Sequence, residues 1–344
     1  MSTSDRLTKR ARTRCIFTGE PFAYAKHAVQ RCSPRRPIPA ATNSQAVIES
    51  QIMKHLCKGG EWWAHPVGVQ RVVINSDRIE LVLDDHTVTA GGRQHFMSTY
   101  VADHLLPFAE ADGQVIGPIG LRVAAIASSD LHLKIVGTDS RVVLRASKGT
   151  DWRQLLAERY LLCRTEGLIP LWQEASLTVY EKRDLSTYSH LRDEDRKLSW
   201  IGSGILRRIA LLYTSSTAYS TRSWIADGQW KFELDTSYLV PLDHDSLIER
   251  LTDPRWGPGF VVSRHHCSCH LASLRDPSHD LTCTYYLGNV KAPNLGKMQI
   301  RFRSMARGYE DGIRQELEKV DGDSKWLERV LPKCDGMDSR SSDR

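Results

Sequence analysis

Val69-Gln70-Arg71-Val72-Val73-Ile74, then Asn75-Ser76-Asp77, then Arg78-Ile79-Glu80-Leu81-Val82-Leu83, is the stretch that decides the fold class. Two runs rich in β-branched residues flank a short polar turn, the pattern of an antiparallel hairpin. Working outward, Leu121–Ala127, Leu131–Val136 and Arg141–Arg145 are three more short apolar runs. Ser128-Ser129-Asp130 and Gly137-Thr138-Asp139-Ser140 separate them, which predicts a meander. Helices lie between such runs. Val47, Ile48, Ile52 and Leu56 recur on one face after Ser44 and stop at Gly59-Gly60. Trp152, Leu155, Leu156, Tyr160 and Cys163 share a face behind a Thr150 or Asp151 cap and end at Gly167.

The second half repeats this mixture. Trp224-Ile225-Ala226, Asp227-Gly228 and the alternating Trp230, Phe232 and Leu234 form a second hairpin signal. A short helix is predicted from Asp245 through Leu251. Met298, Ile300 and Phe302 alternate with Gln299, Arg301 and Arg303 as a half-buried strand, and a helix over about 309–320 follows. The expectation is an α+β protein of antiparallel sheets and a few helices in two domains. Residues 1–36 are read as a flexible basic arm, 37–148 and 149–325 as the domains, and 326–344 as a polar tail. No internal repeat is visible.

Charge is uneven. The first 36 residues carry nine Lys or Arg against Asp5 and Glu20, a net +7, whereas the remaining 308 sum to −1. A local excess of this kind is the footprint of a polyanion partner. Arg10, Arg12, Arg14, Arg31, Arg35 and Arg36 are the candidate phosphate contacts, joined by Arg301 and Arg303 on the late strand. The absence of an 18-residue apolar run argues against a membrane partner. Eight scattered cysteines without a secretory leader suggest reduced thiols and a cytoplasmic location.

Arg264-His265-His266-Cys267-Ser268-Cys269-His270 is the densest ligand cluster. On a strand, His265, Cys267 and Cys269 point one way. With Cys283 across a hairpin, Cys267, Cys269, Cys283 and His265 make a candidate zinc set. The alternative is thiols packed as small apolar groups. Other short motifs carry less. Lys333-Cys334-Asp335-Gly336 imitates a nucleotidyl-transferring ligase lysine without room for the pocket, and Gly202-Ser203-Gly204 lacks a phosphate-loop lysine. Asp84-Asp85-His86 and Asp243-His244-Asp245 read as turn and helix-cap chemistry.

Residues 13–83 resemble the region that follows the catalytic part of large serine recombinases. Arg35-Arg36-Pro37-Ile38-Pro39-Ala40-Ala41 leading to Val47-Ile48-Glu49-Ser50-Gln51-Ile52, and then Val69 through Leu81, carry the resemblance. It implies a DNA-binding accessory segment. The family's nucleophilic serine and its arginines have no counterpart here, so no catalytic residue follows from it. Together these signals point to a non-catalytic nucleic-acid-binding component, on DNA or RNA, of a mobile-element or defence-type assembly. An enzyme built on the 265–283 cluster, or a structural subunit working with other protein subunits, are the alternatives.

Overall fold

A computed structural model describes residues 3–33, 36–57, 60–89, 91–127, 129–146, 149–240, 243–268, 281–289, 292–304 and 310–333. The chain is α+β. It opens with helices α1 (Thr3–Thr18), α2 (Phe22–Arg31) and α3 (Asn43–Leu56). Strands β1 (Glu61–Trp63), β2 (Val69–Ile74), β3 (Arg78–Leu83), β4 (His86–Thr89) and β5 (Gln94–Phe96) precede helix α4 (Met97–Leu105). Then come β6 (Phe108–Ala109), β7 (Val115–Ile116), β8 (Leu121–Ala127), β9 (Asp130–Ile135), β10 (Arg141–Arg145), α5 (Trp152–Thr165) and β11 (Ile169–Pro170). The second half contains α6 (Val179–Thr187), α7 (Ser189–Leu206), α8 (Leu211–Thr214), β12 (Ala218–Ala226), β13 (Gln229–Thr236) and α9 (Asp245–Leu251). It ends with β14 (Phe260–Cys267), β15 (Leu281–Asn289), β16 (Lys297–Ser304), α10 (Glu310–Lys319) and α11 (Ser324–Val330).

The two large sheets share one topology. Strand order is β2-β3-β10-β9-β8 in the first and β12-β13-β16-β15-β14 in the second. In each, an antiparallel hairpin joins a three-stranded meander through a single parallel contact, β3 with β10 and β13 with β16. Each meander is also bulged at the same place, between Val123 and Ala125 opposite Leu133, and between Val262 and Arg264 opposite Leu287. The two halves therefore form a structural repeat with no visible counterpart in the sequence. At the matched parallel pairs Ile79–Val142 and Trp230–Met298, apolar character is kept while side-chain identity is not. Register and bulges are backbone properties, so they can coincide where side chains diverge.

A helix introduces each sheet, and the two helices pack antiparallel. Glu49 of α3 meets Arg207 at the end of α7, and Lys54 meets Asp195. Between them Ser50 abuts Gly202, where a Cβ would lie 2.9 Å from the Ser50 Cα and 2.5 Å from the Trp230 ring. The contact is polar at its centre. Arg207 donates twice to Glu49, at 2.6 and 2.7 Å, Ser203 donates at 2.6 Å and Gln45 at 2.9 Å. Four donors around one buried carboxylate satisfy it, which is the condition for keeping a charge in a core. One apolar core runs from Ile48 and Ile52 through both sheets to Phe302.

Two boundary expectations change. Residues 3–33, read as part of a flexible arm, are not loose, because α1 and α2 form a helical hairpin on the body. The α1 stripe is Leu7, Ala11, Arg14 and Thr18, with Phe17 beside it, and a stripe built on an arginine is invisible to a search for apolar periodicity. Gly19 turns the chain between the helices at φ +74°, with its α-carbon so close to Gln70 that a Cβ would sit 2.7 Å from that carbonyl. Nor are residues 326–331 a tail. Trp326, Leu327, Val330 and Leu331 are buried against Val88, Tyr219 and Leu317. The α5 cap follows the expectation, with Asp151 accepting from the amides of Arg153 and Gln154, whereas α3 begins at Asn43 behind Thr42 with no side-chain cap bond.

Candidate functional site

The N-terminal cations divide into two populations. Arg14 is buried to 1% exposure, where its Nε donates to Glu20 Oε2 at 2.5 Å and its Nη2 to Glu20 Oε1 at 3.1 Å. A third donation goes to the Pro37 carbonyl. Arg14 is thus a structural pin between α1, the α1–α2 turn and the loop into α3, and it leaves the set of phosphate contacts. Its forked guanidinium suits such bidentate pairing. Arg6, Lys9 and Arg12 lie on the opposite side of α1, exposed, and none makes an ion pair with a described residue. Lys26 and Arg31 are exposed on α2, and Arg36 is exposed in the following loop. Arg35 lies outside the described residues.

Arg10 sits at the edge of this surface, half-buried. Its Nε and Nη2 atoms are shielded from solvent and have no hydrogen-bond partner among the described residues. Partial burial, with the Arg255 charge next in importance, lowers its guanidinium from the ordinary range. Donors directed at no acceptor, beside a second cation, are an arrangement that an anion completes.

Arg301 and Arg303 belong to a different environment. The parallel register sets Arg301 beside Glu233 and Arg303 beside Asp235. Arg301 donates to Glu233 at 3.0 Å and Arg303 to Asp235 at 3.1 Å, with Arg222 bonding Asp235 from the other side. Burial raises the Asp235 carboxyl against the pull of Arg222 and Arg303. These arginines neutralise carboxylates of their own sheet, so they too leave the interface. Phe302 and Trp63 are core, and Trp62 packs partly buried on Tyr219.

The Cys/His cluster comes together in part. Cys267 of β14 pairs directly with Cys283 of β15, and His265 with Tyr285, so these four side chains share one sheet face. The two sulfurs are 3.1 Å apart. His265 stacks on the Tyr285 ring at 3.8 Å between centroids. Cys269 lies outside the described residues. His244, read from sequence as part of a helix cap, covers this face instead, with its Nε2 3.5 Å from Cys267 Sγ. Its Nδ1 lies 2.8 Å from Asp245 Oδ1 and 2.8 Å from the Tyr285 hydroxyl. Burial works to raise the Asp245 carboxyl, but the bonds from His244 and Tyr285 prevail and hold it low. Burial followed by the neighbouring His244 lowers His265, which favours its neutral ring. Nothing in the spacing announces His244, since it stands 23 residues before Cys267.

No described helix is long and apolar enough to cross a membrane. Comparison of the chain with protein-family models, curated proteins and solved structures gives no match.

Proposed function

We propose that this protein binds nucleic acid through the outer face of its N-terminal helical hairpin. Arg6, Lys9 and Arg12 of α1 are the principal phosphate contacts, and Arg10 lies at the rim. The carrying observation is the segregation on α1: its packed stripe contains half-buried Leu7 and buried Ala11, Arg14 and Thr18, while Arg6, Lys9 and Arg12 stand together in solvent without carboxylate partners among the described residues. The unsatisfied nitrogens of Arg10 support the same reading, as do exposed Lys26, Arg31 and Arg36 on the adjoining elements. Tyr24, 65% exposed on α2, adds a ring on which a base can stack. Held on a folded hairpin, these charges reach a backbone with less ordering cost than a loose arm would. They position the protein and carry no sequence code.

The test is fluorescence anisotropy with labelled duplex and single-stranded oligonucleotides, comparing wild type with R6Q/K9Q/R12Q. Loss of three phosphate contacts weakens binding on the order of a hundredfold at about 0.1 M salt. A triple variant binding as tightly as wild type, or a wild type that binds neither probe, refutes the reading.

A further inference from the structure

We infer that His244, His265, Cys267 and Cys283 bind one zinc ion, which fastens the turn before α9 to the edge strand of the second sheet. This assignment is independent of the nucleic-acid reading, because it uses other residues and is read out as metal content.

Three segments deliver the donors. β14 places His265 and Cys267 two residues apart on one face, β15 sets Cys283 directly across from Cys267, and the turn at residue 244 lays an imidazole over both. The donor atoms of His244, His265 and Cys267 all lie within 4.8 Å of one another. The nearer pairs are Cys267 with Cys283 at 3.1 Å and Cys267 with His244 at 3.5 Å. Zinc with sulfur at about 2.3 Å and nitrogen at about 2.0 Å holds tetrahedral donors roughly 3.3–3.8 Å apart. The Cys267–Cys283 and Cys267–His244 separations lie near this range, and zinc binding requires Cys283 Sγ, which stands outside the close group of three, to swing toward the two imidazoles.

The surroundings fit a ligand histidine. A metal-bound imidazole characteristically gives its other N–H to a carboxylate, which fixes the tautomer and aims the ring. Here the Nδ1 of His244 lies 2.8 Å from Asp245 Oδ1, and the Tyr285 hydroxyl, itself 2.8 Å from that nitrogen, donates to the same carboxylate at 3.1 Å, a setting suited to a proton on Nδ1. That leaves Nε2, the atom facing Cys267, as the electron-pair donor. Two thiolates with two imidazoles are a soft and borderline set, which selects zinc over magnesium or calcium. Four protein ligands leave no open position, so the ion's role is structural. β14 is the outermost strand of its sheet, and a metal clip there protects an edge that would otherwise be available for pairing.

The experiment uses the full chain, expressed with zinc in the medium and purified under reducing conditions. Metal is quantified by mass spectrometry, and the zinc is then exchanged for cobalt. The expected result is one zinc per chain, with a cobalt spectrum showing thiolate charge transfer and tetrahedral ligand-field bands. H244Q and C267S should each lower zinc content at least tenfold, while C15S, altered on α1, keeps it. Metal-free wild type that gives no such cobalt bands overturns the inference. So does wild-type zinc content in H244Q or C267S, zinc loss in C15S, or recovery of Cys267 and Cys283 as a disulfide. If the ligand variants do not fold, the wild-type cobalt spectrum decides alone, since a set without thiolates lacks the charge-transfer band.

Discussion

Arg14→Ala should unfold the N-terminal hairpin from the body, although by sequence Arg14 is one cation among many. The partners Arg14 and Glu20 have side-chain exposures of 1% and 2%, and the arginine also serves the Pro37 carbonyl. Truncation leaves a buried carboxylate with its bidentate donor removed and a carbonyl unsatisfied. Breaking a buried pair from one side costs about 3–5 kcal/mol. The pair's net worth is smaller than this, since two apolar residues of similar shape would offset most of the loss. At about 2 °C per kcal/mol for a large chain, the melting midpoint should fall by roughly 6–10 °C. Neutralising exposed Arg12 to Gln should change stability by no more than about 0.5 kcal/mol. Calorimetry or thermal circular dichroism of both variants measures the contrast. An Arg14→Ala midpoint within about 1 °C of wild type, or equal losses in the two variants, would refute the division of these cations into structural and surface groups.

Other consequences are more local. Gly202→Val places carbon into the Ser50 backbone and the Trp230 ring, so the α3–α7 contact should lose about 1–3 kcal/mol or more; Gly288→Ala, with nothing within 4 Å of its added carbon, is the thermal-melt control. Asp151→Ala removes the cap accepting from two α5 amides and should cost about 1 kcal/mol in denaturant titration. Asp130 is held below its usual range, chiefly by its hydrogen bond from Arg145. Because its folded-state value is depressed, its contribution is complete above the ordinary carboxylate range and disappears as pH falls through the folded value, below about pH 4. The melting gap between wild type and Asp130→Asn should therefore narrow on acidification from neutral to about pH 3, and a gap independent of pH would count against the Arg145 pairing.

Several elements were legible in the sequence because local chemistry determines them. Asn75-Ser76-Asp77 between β-branched runs gave β2–β3, Asp227-Gly228 gave β12–β13, and alternation at Met298, Ile300 and Phe302 gave the buried face of β16. The hidden parts depend on partners distant in the chain. Arg14 looks like an exposed cation until Glu20 and Pro37 are brought to it, and Arg301 and Arg303 look unpaired until β13 lies beside β16. Three of the four proposed zinc ligands, His265, Cys267 and Cys283, could be anticipated from the His265-to-Cys283 region, but His244 arrives only through the packing of the α9 turn. The repeated strand order was also beyond sequence reading, since it resides in which strands pair, and hairpin signals say nothing of the parallel contacts between β3 and β10 or β13 and β16.

The most direct measurement is the logarithmic slope of nucleic-acid affinity against salt concentration, for wild type and for R6Q/K9Q/R12Q on the same duplex. Each phosphate contact contributes about 0.9 to that slope, so the three cations of α1 should account for about 2.7 of it, roughly a fortyfold change in affinity between 50 and 200 mM salt. Equal slopes for the two proteins, or a wild-type affinity that salt does not alter, would contradict the assignment of this face to phosphates.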